Sequence, residues 1–229
     1  GEVVLLLHAF PLGLFMWDAQ VEALAATHRV VRFDARGFGG SAVGDGPLTM
    51  ERIADDGTSL LDHLGIDKAV VGGCSMGGYA AFAFVRRHPQ RLAGLVLQDT
   101  RAGADTAEAK ASRTALAAKV LAEGASAAVD AFLPKLVGET TRRERPAVVV
   151  GGPAEVLEHG QARAAERQVG QAVPPRTSGG VAQHHGQWCR RGEFEVGEEL
   201  RAKAPGLGVI VALAPCVLMT IRPQSLCSA

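Results

Sequence analysis

The sequence has no surplus of charge: 24 Lys and Arg are matched by 24 Asp and Glu across 229 residues. That balance removes the electrostatic case for nucleic acid or an anionic membrane as partner and turns attention to small molecules. Cysteine is sparse, at positions 74, 189, 216 and 227, with no C-x-x-C pair, which argues against a disulfide framework. No basic n-region precedes the first apolar run, so the expectation is a chain without a signal peptide and a cytoplasmic setting. Long apolar runs are missing too. Leu207 to Ile221 is interrupted by Pro215 and falls short of the roughly 20 residues a membrane helix needs. What is present is 47% apolar content, in a length that suits one α/β domain with a sizeable core.

The most informative stretch is Val70-Val71-Gly72-Gly73-Cys74-Ser75-Met76-Gly77-Gly78. It contains the pentapeptide G-x-S-x-G, preceded by an apolar strand-like run from Ala69 and followed by a helix-forming run from Tyr79 to Arg87. A serine on a sharp strand-to-helix turn sits in a strained conformation. The residues two before and two after it must be small for strand and helix to pass, and Gly73 and Gly77 meet that demand. A helix starting near Met76 aims its N-H groups and positive dipole end at the same point, where an oxyanion would be stabilised. Ser75 is therefore the candidate nucleophile.

Along the chain, Val3 to Leu7 reads as a strand buried on both faces, ending in the loop His8-Ala9-Phe10-Pro11-Leu12-Gly13. Trp17, Val21 and Leu24 recur at helical spacing. The strand Val30 to Phe33 follows, then the turn Asp34 to Ser41 and a helix from Met50 to Leu64 with Ile53, Leu60, Leu61 and Leu64 facing inward. After the elbow helix, which ends near His88-Pro89, Leu92 to Leu97 reads as another buried strand that stops at Gln98-Asp99-Thr100. This alternation predicts an α/β fold, a doubly wound and mostly parallel sheet with its crevice at the strand carboxyl ends, where His8, Asp34, Ser75 and Asp99 fall. Residues 1–105 form the expected core. Residues 106–147 suit a helical cap, with breaks near Gly124 and Pro134. Residues 148–229 are atypical, and from Gly151 to Arg191 no strand or helix period is visible.

Four ordered motifs, His8-Ala9-Phe10-Pro11, Asp34 to Ser41, Gly73 to Gly77 and Leu95 to Ala102, resemble the α/β-hydrolase family. The likeness is closest to its small bacterial esterases, enol-lactonases and cofactor-free perhydrolases. The resemblance covers about residues 3–145. It implies Ser75 as nucleophile, the main-chain N-H groups of Phe10 and Met76 as oxyanion hole, and His8 as a loop-shaping residue; Ala9 stands where the family usually has glycine. It also implies two further strands ahead of Val3. The family's acid and histidine follow the nucleophile in the chain, yet here no Asp follows Asp130 and no His follows His185. One expectation is a reading-frame slip near Val150; the other is a divergent tail. In a divergent tail Val148-Val149-Val150 would form the next strand, Glu155 would serve as acid, and His184 or His185 as base. Asp99 is a second candidate acid.

Two other signals are weaker. Gly37 to Ala42 fits G-x-G-x-x-A, but Val43 to Pro47 leaves no helix start to bind a pyrophosphate, so no nucleotide cofactor is expected. His184, His185 and Cys189 lack a fourth ligand and match no zinc spacing, so no metal is expected. Asp34 and Arg36 read as a local charged pair that fixes their turn. Two readings follow. One is a serine hydrolase that cleaves a small carboxylic ester or lactone through an acyl-enzyme on Ser75, with peroxide able to replace water in the second step. The other is a hydrolase-fold protein without catalysis, for want of an acid and histidine pair.

Overall fold

The computed structural model describes residues 1–136, 138–144, 146 and 208–212. The first apolar run forms strand β1 (Val3–Leu7), with Val4 to Leu7 all buried. Burial of consecutive residues means that both faces are covered, and the sheet explains it. β1 lies between β2 (Arg29–Phe33) and β3 (Ala69–Cys74), parallel to each. β4 (Leu92–Gln98) follows β3, and β5 (Gly208–Ala212) follows β4, giving the order β2-β1-β3-β4-β5 with every pairing parallel. Parallel neighbours need crossovers. These come from α1 (Asp18–Leu24), entered through a 3-10 turn at Leu14–Trp17, then α2 (Met50–His63) and α3 (Met76–Arg87).

The two faces carry separate apolar clusters, so the sheet is doubly wound. On one side Ile53, Ala54 and Leu61 of α2 and Ala80, Ala81, Phe84 and Val85 of α3 pack with Leu5, Leu7, Val71 and Leu95. Leu60 and Leu64, expected to face inward, lie at the edge of this cluster and are half-buried. On the other side Trp17 and Val21 cover Val4 and Leu6. Each large side chain fully buried in this way contributes about 1.5–3 kcal/mol. The start of α2 is set by Thr49, whose hydroxyl accepts the Arg52 N-H at 3.2 Å. The chain leaves β1 in one direction to β2 and returns to β3 on the other side. That reversal opens a crevice at the carboxyl ends of β1 and β3.

After β4 come α4 (Ala107–Glu123), capped by the Thr106 hydroxyl, then α5 (Ser126–Leu136) and α6 (Glu139–Glu144). The break at Gly124 is present, with φ of 85°. The break expected at Pro134 is not: α5 runs on to Leu136. Proline removes one donor, but the carbonyl it would have served belongs to Asp130, an exposed residue that water can reach. Val148-Val149-Val150 lies outside the described residues, and the place beside β4 is taken by Gly208–Ala212. The apolar run too short for a membrane helix thus supplies the strand beside β4, through the β-branched core of Gly-Val-Ile-Val-Ala. Among the described residues no helix is long and apolar enough to cross a membrane.

Candidate active site

Ser75 stands between the last residue of β3 and the first of α3 with φ of 49° and ψ of −109°. A non-glycine residue in that region costs about 1–3 kcal/mol, and it persists only where its surroundings over-determine it. Here they do. The Ser75 N-H donates to the Gln98 carbonyl at 3.0 Å. Its own carbonyl accepts from Gly78 N at 3.0 Å, Tyr79 N at 3.2 Å and the Thr100 hydroxyl at 3.0 Å. The hydroxyl itself makes no hydrogen bond with any described residue. The two glycines have the steric reason expected of them. A Cβ on Gly73 would lie 2.2 Å from the Gly77 carbonyl oxygen, and one on Gly77 would lie 2.0 Å from that of Leu7. The Thr100 hydroxyl, just past the strand of the Leu95 to Ala102 motif, is thus a further clamp on the elbow that no local pattern reveals.

The loop after β1 is built around His8, which is 2% exposed. Its Nε2 accepts the Ala35 N-H at 2.9 Å, which leaves the ring proton on Nδ1 to donate to the Ala9 carbonyl at 3.0 Å. The same carbonyl accepts from Leu12 N at 2.9 Å. Burial holds the His8 pKa below its ordinary 6.5, against the opposing pull of the Ala9 bond and of Asp34. Both ring nitrogens are engaged, so His8 shapes the loop and is not placed to act as a base. In a trans peptide the C=O and N-H point in opposite directions. Pinning the Ala9 oxygen toward His8 therefore turns the Phe10 N-H away from it, and among the described residues that amide has no acceptor.

Asp34 is 8% exposed and organises the neighbouring turn. Its carboxylate accepts from Leu14 N at 2.7 Å and Gly40 N at 3.2 Å, and its carbonyl accepts from the Ser41 hydroxyl at 2.7 Å. The pair expected between Asp34 and Arg36 does not form. Arg36 reaches instead to Asp56 on α2 through two bonds of 2.6 Å, a contact distant in sequence that no local pattern reveals. Asp99, beside the elbow at the end of β4, also has positive φ, 44°, and is exposed. It makes no side-chain bond to its own loop among the described residues. Burial, with Asp99 adding to it, pushes the Cys74 thiol up to about 11.

A family model for the alpha/beta hydrolase fold matches residues 2–169, well over half of the chain. The chain belongs to the α/β-hydrolase fold family. This hydrolase-fold chain is similar to a thermophilic esterase from Thermogutta terrifontis, solved with malate bound. They share 45% identity with a TM-score of 0.68, over 74% of this chain and 63% of the other. Its likeness to the enol-lactonase from Burkholderia xenovorans is 31% identity and TM-score 0.63, over 72% and 63%. Epoxide hydrolase B of Mycobacterium tuberculosis is 37% identical across 99 residues, 42% of this chain and 28% of that protein. The chain thus spans less than two thirds of the length of these relatives.

Within the hydrolase frame, Ser75, Phe10, Met76 and Asp99 come to one end of the sheet, on the loops that leave β1, β3 and β4. Glu155, His184 and His185 lie outside the described residues, as does Cys189. Among the described residues no group of three His, Cys, Asp or Glu side chains could hold a metal ion. The glycine-rich turn at Gly37 to Ala42 is followed by loop as far as Thr49, and α2 begins only at Met50.

Proposed function

We propose that this α/β-hydrolase cleaves a small carboxylic ester or lactone by acyl transfer to Ser75. The reading is carried by one observation: a serine held at positive φ on the strand-to-helix junction, with its hydroxyl unengaged by any described residue. Ser75 Oγ attacks the carbonyl carbon while its proton passes to an imidazole, for which His184 and His185 are the candidates. The N-H groups of Phe10 and Met76 receive the negative oxygen. Collapse breaks the bond to the alcohol oxygen, which takes the proton. Water then adds to the acyl-enzyme, giving its proton to the same base; collapse breaks the bond between the acyl carbon and Ser75 Oγ, which takes the proton back, and the acid leaves. Glu155 or Asp99 orients the imidazole. The resemblance to an esterase and an enol-lactonase supports the substrate class. The α4–α5 helices act as a cap over the site.

A second reading is a hydrolase-fold protein without turnover. It takes its support from His8, whose two ring nitrogens are both engaged within its own loop and its neighbour, so this imidazole is not available as base. A fluorophosphonate probe separates the two readings, because labelling needs an exposed hydroxyl and a base to activate it. One phosphonyl group per chain by intact mass, lost in Ser75→Ala, is the expected result. A folded sample that takes no label supports the second reading.

A further inference from the structure

Phe10 belongs to two apolar clusters at once. It packs against the core cluster of the sheet, and it also packs against the small cluster of Val120, Ala125, Ala127 and Ala128 between α4 and α5. Its ring lies edge-to-face on Phe38, in the turn after β2, with centroids 6.1 Å apart. On the other side it lies edge-to-face on Phe132 of α5 at 5.4 Å. Phe38 is completely buried and cannot move without the core. The α4–α5 cluster is made largely of alanine, so it offers little apolar area with which to grip the sheet; Phe132 of α5 adds a large ring against Phe10 beside it.

We infer that Phe132 is a positioning residue: seated on the Phe10 ring, it fixes the loop His8 to Leu12 and so the direction of the Phe10 amide, coupling the helical pair to the oxyanion hole. This rests on the reading of that amide as an oxyanion donor. His8 and Leu12 hold the peptide from the main-chain side through the Ala9 carbonyl. Phe38 and Phe132 hold it from the side-chain side. Without the Phe132 ring, Phe10 loses one of its two aromatic walls and its amide loses its fixed aim.

The test compares the unaltered chain with Phe132→Ala, Phe132→Leu and Leu121→Ala, the last a control at a 60% exposed position on α4. Hydrogen-deuterium exchange of the His8 to Leu12 loop is expected to rise in Phe132→Ala while β3 is unchanged, with a smaller rise in Phe132→Leu and none in Leu121→Ala. On a short p-nitrophenyl ester, Phe132→Ala is expected to lose about tenfold in kcat with KM within about twofold, since a misdirected donor weakens the transition state and not ground-state binding. Phe132→Leu is expected to restore most of that loss. Unchanged loop exchange, or a rise in KM with kcat intact, overturns the inference; the latter would make Phe132 a wall of the pocket. Should Phe132→Ala fail to fold, Phe132→Leu carries both comparisons. If the unaltered chain shows no turnover dependent on Ser75, the hydrolase reading fails, and loop exchange alone decides the positioning role.

Discussion

Alanine at Gly77 puts the elbow geometry to a quantitative test. The added Cβ would stand 2.0 Å from the Leu7 carbonyl oxygen, 2.5 Å from its carbon and 2.9 Å from the His8 oxygen, all main-chain atoms. An ordinary carbon-oxygen contact is about 3.3 Å, so the first turn of α3 must retreat from β1 by about 1.3 Å. β1 cannot yield in its place, because it is hydrogen-bonded to strands on both sides. Overpacking costs about 1–3 kcal/mol in general, and an immovable main-chain obstacle puts this site at the upper end. Alanine regains about 1 kcal/mol of helix propensity. The net loss is about 2 kcal/mol, a large part of the roughly 5–15 kcal/mol that holds a domain folded. Urea unfolding followed by circular dichroism measures it. Gly103→Ala is the comparison, since nothing lies within 4 Å of its Cβ, and it should change stability by less than about 0.5 kcal/mol. Equal stability for the two variants would refute the claim that close approach of α3 to β1 dictates glycine at position 77. Ser75 sits at the displaced end of α3, so Gly77→Ala should also label more slowly with the fluorophosphonate.

Asp34→Ala strands the Leu14 and Gly40 amides and should cost about 1–3 kcal/mol, read as a drop in Tm. Stability should be insensitive to His8 above pH 6.5 and fall as pH drops below it, because the unfolded ring takes up a proton that the buried folded ring resists. The difference in urea midpoint between the unaltered chain and His8→Gln, followed against pH, isolates that slope; parallel curves would contradict it. Asp99→Asn removes the carboxylate that adds to the raised Cys74 pKa, so the pH profile of its alkylation should move from about 11 toward, but not to, 9.0. Burial accounts for the remainder.

The front of the fold was legible because its signals are local. Val3 to Leu7 is a strand in any context that covers both faces, and the elbow advertises itself through glycines that nothing else can replace. The contacts that complete the site are not local. Arg36 finds Asp56 across the gap between two elements, Thr100 reaches back to the Ser75 carbonyl, and Phe132 meets Phe10 only once α5 has folded over the loop. None of these leaves a period in the sequence. β5 was hidden for a related reason: Gly208–Ala212 pairs with a strand far away in the chain, and its apolar run alone did not say what it would lie against. Pro134 shows the converse, a strong local breaker overruled where the carbonyl it deprives belongs to an exposed residue, Asp130.

Leu7 at the end of β1 and Gly73 near the end of β3 are partners in the ladder, and Cys74 is the partner of Gln98 on β4. The gap between Ser75 and the loop that faces it is therefore ruled off in units of strand spacing, about 4.8 Å, by main-chain bonds that every sequence makes. That scale is graduated on main-chain atoms, so drift in the side chains of β1, β3 and β4 leaves it intact. What side chains can still adjust is how the loops at its ends are seated, as Phe38 and Phe132 seat Phe10.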